Sequence, residues 1–144
     1  MKLFTIGYQN ATQSQLIDRL KAAGVEVVLD VRAVAASRRP GFSKRILAAG
    51  LDEAGMEYIH LKGLGTPAAG RQAARAGRVA EMKAMYADYL DHEPAAQTAL
   101  VEAAELASSR CVALLCLEAE ACVCHRSLVA ARLKERLGFE VVDL

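Results

Sequence analysis

The chain lacks tryptophan, and aromatic residues make up only 5% of its 144 positions. A core without large rings must be built from aliphatic side chains, and few rings are left on which nucleic-acid bases could stack. Long hydrophobic runs are missing too. The longest, residues 111–117, is far shorter than the roughly 20 apolar residues of a transmembrane helix. These absences argue against a membrane partner.

The amino terminus, MKLFTIGY, carries one lysine and only a very short apolar stretch. A signal peptide needs an apolar region of roughly 7–15 residues, so we expect a cytoplasmic protein. All 4 cysteines fall within residues 111–124, whereas a disulfide framework would spread them along the chain. Clustered thiols in a reducing compartment are buried, metal-binding or reactive.

Hydrophobic residues make up 53% of the chain and charged residues 24%, which is typical of a folded protein. The length suits one domain over residues 1–144. Five short apolar segments are predicted as strands: residues 3–6, 25–31, 56–61, 110–117 and 139–144. Because helical patterns alternate with them, we predict an α/β fold, a single layered domain of about five mainly parallel strands with helices on both faces.

Helix signals lie between these segments. Thr12 and Gln15 form a capping-box pattern, and Ser43 can cap a second helix. Further helices are predicted over residues 79–90, 95–107 and 124–137. The Gly/Ala/Arg-rich residues 63–78 are predicted as a long loop, whose role as a lid, a binding arm or a disordered segment stays open.

Positive charge is concentrated in residues 31–80, which hold nine Lys or Arg and three acids. The whole chain has a formal net charge of only +1. A one-signed segment of this kind can attract an anionic partner, but a solvated surface explains it equally well.

Polar and reactive residues follow the predicted strands. Ligands of parallel sheets bind beyond the carboxyl ends of the strands, so we expect a binding site there. The substrate-binding candidates at this edge are Gly7, Tyr8, Asp30, Arg32, Ser37, Arg38, Arg39, Lys62, Cys116 and Arg126. Asp30 and Arg32 share a strand face, where they can form an ion pair, hold an anion, or do both. Tyr8 can stack on a ligand or cap the sheet edge.

Cys124, His125 and Glu118 are the catalytic candidates. Cys124 lies at a predicted helix start beside His125 and Arg126, surroundings that lower a thiol pKa and favour a nucleophile. The alternative is a cysteine packed between helix and sheet. Glu118 could act as a general acid or base, although we favour a role as partner of an arginine.

A metal site is the third possibility for the thiols. Cys116, Cys122, Cys124 and His125 have the spacing C-x5-C-x-C-H, which lacks the paired knuckles of structural zinc sites. Neighbouring ligands at a helix start should also diverge. The chain has no phosphate-loop, G-x-G-x-x-G or G-x-S-x-G pattern. We therefore expect no metal and no cofactor.

The order of the motifs resembles the family catalogued as domain of unknown function 488. The resemblance runs over nearly the whole chain. It is carried by Thr5-Ile6-Gly7, Asp30-Val31-Arg32, Phe42-Ser43-Lys44, Tyr58 with His60-Leu61, Leu64-Gly65, Cys116-x-Glu118 and Cys124-His125-Arg126. It implies a small parallel α/β domain with a site built from the Asp-Val-Arg, Cys-x-Glu and Cys-His-Arg segments.

The chain departs from the family pattern at two places. Tyr8 stands where members often have histidine, which counts against proton transfer at that position, and Thr66 stands where many have a second glycine. The family has no settled reaction. Cys122 falls where the pattern is loose, which weakens the metal interpretation further.

Two functions from different classes follow. The first is an anion-binding site for a phosphorylated or nucleotide-like small molecule. A thiol-dependent transferase or hydrolase could use such a site. The second is a non-catalytic nucleic-acid-binding module that uses the basic 62–78 segment; its binding would fall steeply with salt. A plain partner-binding domain is a third interpretation, in which Arg32 and Cys124 would be dispensable.

Overall fold

A computed structural model describes all residues 1–144 and contains a single five-stranded sheet. Its strands are β1 (Lys2–Gly7), β2 (Val27–Asp30), β3 (Glu57–His60), β4 (Val112–Cys116) and β5 (Glu140–Asp143). They lie in the order β3-β2-β4-β1-β5, and every neighbouring pair is parallel. The predicted α/β class is confirmed, and the mainly parallel sheet is wholly parallel.

Six helices connect or follow the strands. They are α1 (Gln13–Ala22), α2 (Lys44–Glu53), α3 (Ala68–Arg75), α4 (Val79–His92), α5 (Pro94–Ser109) and α6 (Arg126–Leu137). Two short 3-10 turns, Lys62–Leu64 and Ala121–Val123, complete the chain. None of the helices combines the length and apolar composition that crossing a membrane would require.

Successive side chains of a strand point to opposite sides of the sheet. Helices cover both faces of this sheet, and each face packs into its own apolar core. On one face Val28 of β2 packs in a core with Leu16 of α1 and Leu47 of α2. On the other, Leu29 packs in a core with Tyr86 of α4 and Leu133 of α6. Burial of each such aliphatic side chain contributes about 1.5–3 kcal/mol. The prediction of helices on both faces is confirmed.

The connections leave the two central strands β1 and β4 in opposite directions. The chain passes from β1 through α1 to β2 on one side, and from β4 through α6 to β5 on the other. The carboxyl ends of the strands are the usual ligand position in open parallel sheets.

The start of α1 agrees with the sequence signals, whereas the starts of α2 and α6 differ from them. Thr12 and Gln15 form the predicted capping box. Ser43 takes the cap position of α2, but its hydroxyl bonds Ser37 instead of the helix. The last long helix begins at Arg126, two residues later than predicted, because a 3-10 turn precedes it.

The long loop predicted for residues 63–78 is wrong. That segment contains a 3-10 turn and the helix α3. Its glycines mark close packing: a Cβ on Gly65 would lie 2.2 Å from the Cα of Ala33, and one on Gly63 would lie 2.5 Å from the carbonyl oxygen of Ala95. The alanines that follow these glycines, in α3, have high helix propensity, which the glycine count outweighed in the sequence pattern.

Gly7 serves a close approach of two backbones. A Cβ at this position would lie 1.7 Å from the carbonyl oxygen of Glu118, and Gln9 N–H donates to the carbonyl of Leu117 at 2.8 Å. The absence of a side chain at Gly7 therefore lets the segments after β1 and β4 run side by side.

We expect Gly7→Ala to destabilise the protein by about 3 kcal/mol or more, because neither backbone can yield to a methyl group. The measurement is equilibrium unfolding in urea. Gly50→Ala is the matched control, since its Cβ would meet only the flexible amide end of Gln13 and α2 would gain helix propensity of about 1 kcal/mol. Equal stability of the two variants would contradict the close-approach role.

Candidate functional site

A cavity of about 620 Å³ lies at the carboxyl ends of the central strands. Its size is within the usual range of small-molecule sites. Tyr8 follows β1, Arg32 follows β2, and Cys116 ends β4. Helix α3 contributes Arg71 and Arg75 from the other side.

Five of the residues predicted from the sequence line this cavity: Tyr8, Arg32, Cys116, Glu118 and His125. The other candidates do not line it. These are Gly7, Asp30, Ser37, Arg38, Arg39, Lys62, Cys124 and Arg126.

Arg32 and Asp30 form the buried ion pair that their spacing allows. The Nη2 of Arg32 lies 2.7 Å from Oδ2 of Asp30, and Nε donates to Oδ1 at 2.9 Å. Tyr58 donates its hydroxyl proton to the same carboxylate. Burial alone would lower the pKa of Arg32, but the hydrogen bonds and charge of Asp30 outweigh it and raise the pKa. Arg32 is therefore permanently charged.

The other guanidinium donors of Arg32 tie the neighbouring loops to this pair. Nη1 donates to the Phe42 carbonyl at 2.8 Å and to the Tyr8 hydroxyl at 3.2 Å. Of the five N–H donors of an arginine, only one, on Nη2, is left without an acceptor in the protein. Arg32 is thus mainly a brace, with one donor that has no acceptor in the protein.

Asp30→Asn should destabilise the protein by about 3–5 kcal/mol, because it leaves a buried guanidinium without a counter-charge. Urea unfolding measures the change. Glu57→Gln on the adjacent strand is the control: it removes a carboxylate from an exposed pair with Arg110, which should cost about 1 kcal/mol or less. Similar losses in both variants would refute the bracing role of Asp30.

Two thiols and one imidazole meet beside the cavity. The Nδ1 of His125 lies 3.6 Å from Sγ of Cys116 and 3.7 Å from Sγ of Cys124. The Nε2 of His125 lies 2.7 Å from the carbonyl oxygen of Val31. Since a carbonyl only accepts, Nε2 carries the proton and Nδ1 is unprotonated. Sγ of Cys116 also lies 4.0 Å from Nε2, so this sulfur lies beside the ring and off the direction of the Nδ1 lone pair.

The expectation that these side chains would diverge is therefore wrong. Cys124 precedes α6 instead of lying on it, so its backbone is extended and its side chain turns toward β4. Cys122 is exposed and near Glu120, outside the cluster. Tyr86 packs edge-on against His125, with ring centroids 5.1 Å apart.

The lowered thiol pKa expected for Cys124 is not found. Its exposed fraction is only 1%, and burial, followed by the nearby Cys116, raises the pKa well above its ordinary value despite His125. For His125 the effect of burial is the opposite: burial alone would lower its pKa, but Cys124, the Val31 carbonyl and Glu118 together raise it. The surroundings of Cys124 fit a packed thiol better than a free nucleophile.

Arg126 and Glu118 do not pair through their charges. Arg126 is fully buried and donates to the backbone carbonyls of Glu118 and Ala119. Glu118 lines the cavity, and its Oε2 is buried with no hydrogen-bond partner. Arg126 therefore fixes the loop after β4, and the carboxylate of Glu118 keeps an acceptor free.

Arg71 and Arg75 were missed as site residues. They lie four apart in α3 and so share a helix face, which turns toward the cavity. Nη1 of Arg71 donates to the Thr66 carbonyl at 2.9 Å, and Arg75 has no acceptor in the protein. Their spacing was visible in the sequence, but it has meaning only once the segment is known to be a helix.

In the reduced, metal-free protein we expect Cys124 to be alkylated far more slowly than Cys122. Cys122 is exposed, whereas Cys124 is buried and has a raised pKa. A raised pKa leaves less thiolate at neutral pH, so the labelling midpoint of Cys124 should lie above the ~8.5 of a free thiol. Mass spectrometry of peptides after timed labelling across a pH series measures both rates. Fast labelling of native Cys124 at neutral pH would contradict its burial.

A family model described as domain of unknown function DUF488 matches residues 12–133. No curated protein and no solved structure matches the chain. The matched range contains the segments Asp30-Val31-Arg32, Cys116-x-Glu118 and Cys124-His125-Arg126.

Proposed function

Because the chain belongs to the DUF488 family of domains of unknown function, its activity must be argued from the site, and we propose that the cavity binds a small anionic ligand. The observation that carries this proposal is the pair Arg71 and Arg75, on one face of α3 and directed into a cavity at the carboxyl edge of a parallel sheet.

The donors of α3 are free to bind. Arg75 has no protein acceptor, and Arg71 uses only Nη1 for the Thr66 carbonyl. A guanidinium presents a planar fork of N–H groups that matches phosphate and carboxylate oxygens, and such charge-assisted bonds are stronger than neutral ones. The remaining donor of Arg32 adds a third contact from the sheet side.

The charge balance of the lining favours an anion. Asp30 neutralises Arg32, which leaves Arg71 and Arg75 against the single carboxylate of Glu118. Glu118 would repel an anionic group but accept a hydrogen bond through its unpartnered Oε2. The ligand should therefore carry an anionic group at one end and a hydroxyl or amine donor at the other. Phosphorylated and nucleotide-like metabolites have both.

A thiol-dependent transferase or hydrolase reaction stays a prediction. If such a reaction occurs, its thiol is Cys116 and not Cys124, because Cys116 lines the cavity together with His125. Tyr8 also lines the cavity. One face of its ring is already stacked on Phe42, with centroids 4.5 Å apart, so that face is not available to a ligand.

The alternative is a nucleic-acid-binding module based on the 62–78 segment. Lys62 and Arg78 of that segment are exposed, but Arg78 pairs with Glu81 at 2.6 Å. Arg71 and Arg75 line the same cavity as Arg32 and Glu118, and a small molecule could contact all of these side chains at once. These features favour the small-ligand proposal.

We expect Arg75→Gln and Arg71→Gln each to weaken binding of inorganic phosphate or a nucleoside monophosphate by about tenfold or more, the equivalent of one lost charge-assisted hydrogen bond. Isothermal titration calorimetry measures the affinities. Arg38→Gln is the matched control, since it removes the same charge from an exposed position outside the cavity.

Two results would count against the proposal. One is equal weakening by Arg38→Gln and Arg75→Gln, which would indicate diffuse electrostatics. The other is preferential binding of a single-stranded oligonucleotide with a steep salt dependence, about −0.7 per phosphate contact, that Lys62→Gln reduces as much as Arg75→Gln does.

A further inference from the structure

We propose that Cys116, Cys124 and His125 form a zinc site with a fourth position open to the cavity. All three side chains are buried, and their ligand atoms lie within 4.8 Å of one another. No other group of three or more His, Cys, Asp or Glu side chains in the protein has this arrangement.

The spacing of the ligand atoms fits a tetrahedral ion. Zinc bonds are about 2.3 Å to sulfur and about 2.0–2.1 Å to nitrogen, and a tetrahedral angle between them separates sulfur from nitrogen by about 3.6 Å. The two observed distances from Nδ1 of His125 are 3.6 Å to Sγ of Cys116 and 3.7 Å to Sγ of Cys124. Sγ of Cys116 also lies 4.0 Å from Nε2 of His125, so binding an ion requires the Cys116 side chain or the imidazole ring to turn.

The second ring nitrogen of His125 is held as in metal sites. A ligating histidine nearly always donates its other N–H to a carbonyl or carboxylate, which fixes the tautomer and the ring orientation. Here Nε2 bonds the Val31 carbonyl at 2.7 Å, so Nδ1 is the unprotonated nitrogen that an ion could bind. This contact is independent of the sulfur positions.

The donor set is one that a soft metal ion prefers. Two thiols lie at nearly the same distance from Nδ1 of His125. A cation with an affinity for sulfur would engage both sulfurs and the nitrogen at once. Thiolate and imidazole donors favour Zn²⁺ over Mg²⁺ or Ca²⁺, which prefer oxygen.

The arrangement is that of an open site. Zinc sites with three protein ligands keep the fourth position for water or substrate, whereas structural sites have four protein ligands. Cys116 and His125 line the cavity, and Cys124 lies behind them. The exposed Cys122 is not available to close the site. The open position therefore faces the cavity, and the site does not rest on anion binding by α3.

The test uses the full-length protein, reduced and stripped of metal, titrated with Zn²⁺ and separately with Co²⁺. We expect one equivalent of either ion to bind, Zn²⁺ to raise the melting temperature, and the Co²⁺ form to show the absorption bands of tetrahedral thiolate coordination. Cys116→Ser and Cys124→Ser should each weaken binding by more than about 100-fold, since loss of even a supporting hydrogen bond costs 10–100-fold.

Cys122→Ser and Cys111→Ser are the matched controls and should bind metal as the wild type does, because both thiols lie outside the cluster. Absence of stoichiometric binding in the reduced wild type, or a Co²⁺ spectrum without thiolate bands, would overturn the proposal. Unchanged affinity in Cys116→Ser would do the same. The wild-type spectrum and stoichiometry decide even where a ligand variant fails to fold. Phosphate binding that persists without metal leaves the anion proposal standing on its own.

Discussion

The site is held together at the carboxyl end of β2. Three successive residues there, Asp30, Val31 and Arg32, make hydrogen bonds to side chains from the surrounding elements. The Asp30 carboxylate receives the Arg32 guanidinium and the Tyr58 hydroxyl. The Val31 carbonyl meets His125, and the Arg32 carbonyl lies 2.7 Å from Nε2 of His60. A buried arginine is costly unless it is fully paired, so this pairing also dictates where the loops after β1 and before α2 must lie.

The carboxyl end of β2 also determines which ring nitrogen of His125 is available for bonding. Because its Nε2 is committed to the Val31 carbonyl, only Nδ1 is left for chemistry, and it lies 3.6 Å from Sγ of Cys116 and 3.7 Å from Sγ of Cys124. The position of α6 follows from this, since Arg126, the next residue, is anchored on the carbonyls after β4. Two consecutive residues thus join the start of α6 to the segments after β2 and β4, and the thiol cluster is a product of that junction.

Much of the fold could be predicted because it rests on local patterns. Strands apolar on both faces, such as Val27–Asp30, indicated a parallel sheet covered on each side, and the polar residues that follow them indicated its functional edge. The convergence of Cys116 with Cys124 could not be predicted, because it depends on a 3-10 turn that places Cys124 before the helix. Strand order is likewise a matter of long-range packing.

Burial separates the arginines in a way that sequence position does not. Arg32 and Arg126 belong to the motifs that stood out, yet Arg32 spends four of its five donors on the protein itself, and both Nη groups of Arg126 bond backbone carbonyls. Arg71 and Arg75 come from the unpromising Gly/Ala-rich segment and retain free donors. The sheet edge therefore supplies the braced side of the cavity. In the proposed anion site, the connection between β3 and β4, which carries α3, is the side that selects the ligand, and changes there would alter binding without disturbing the braced edge.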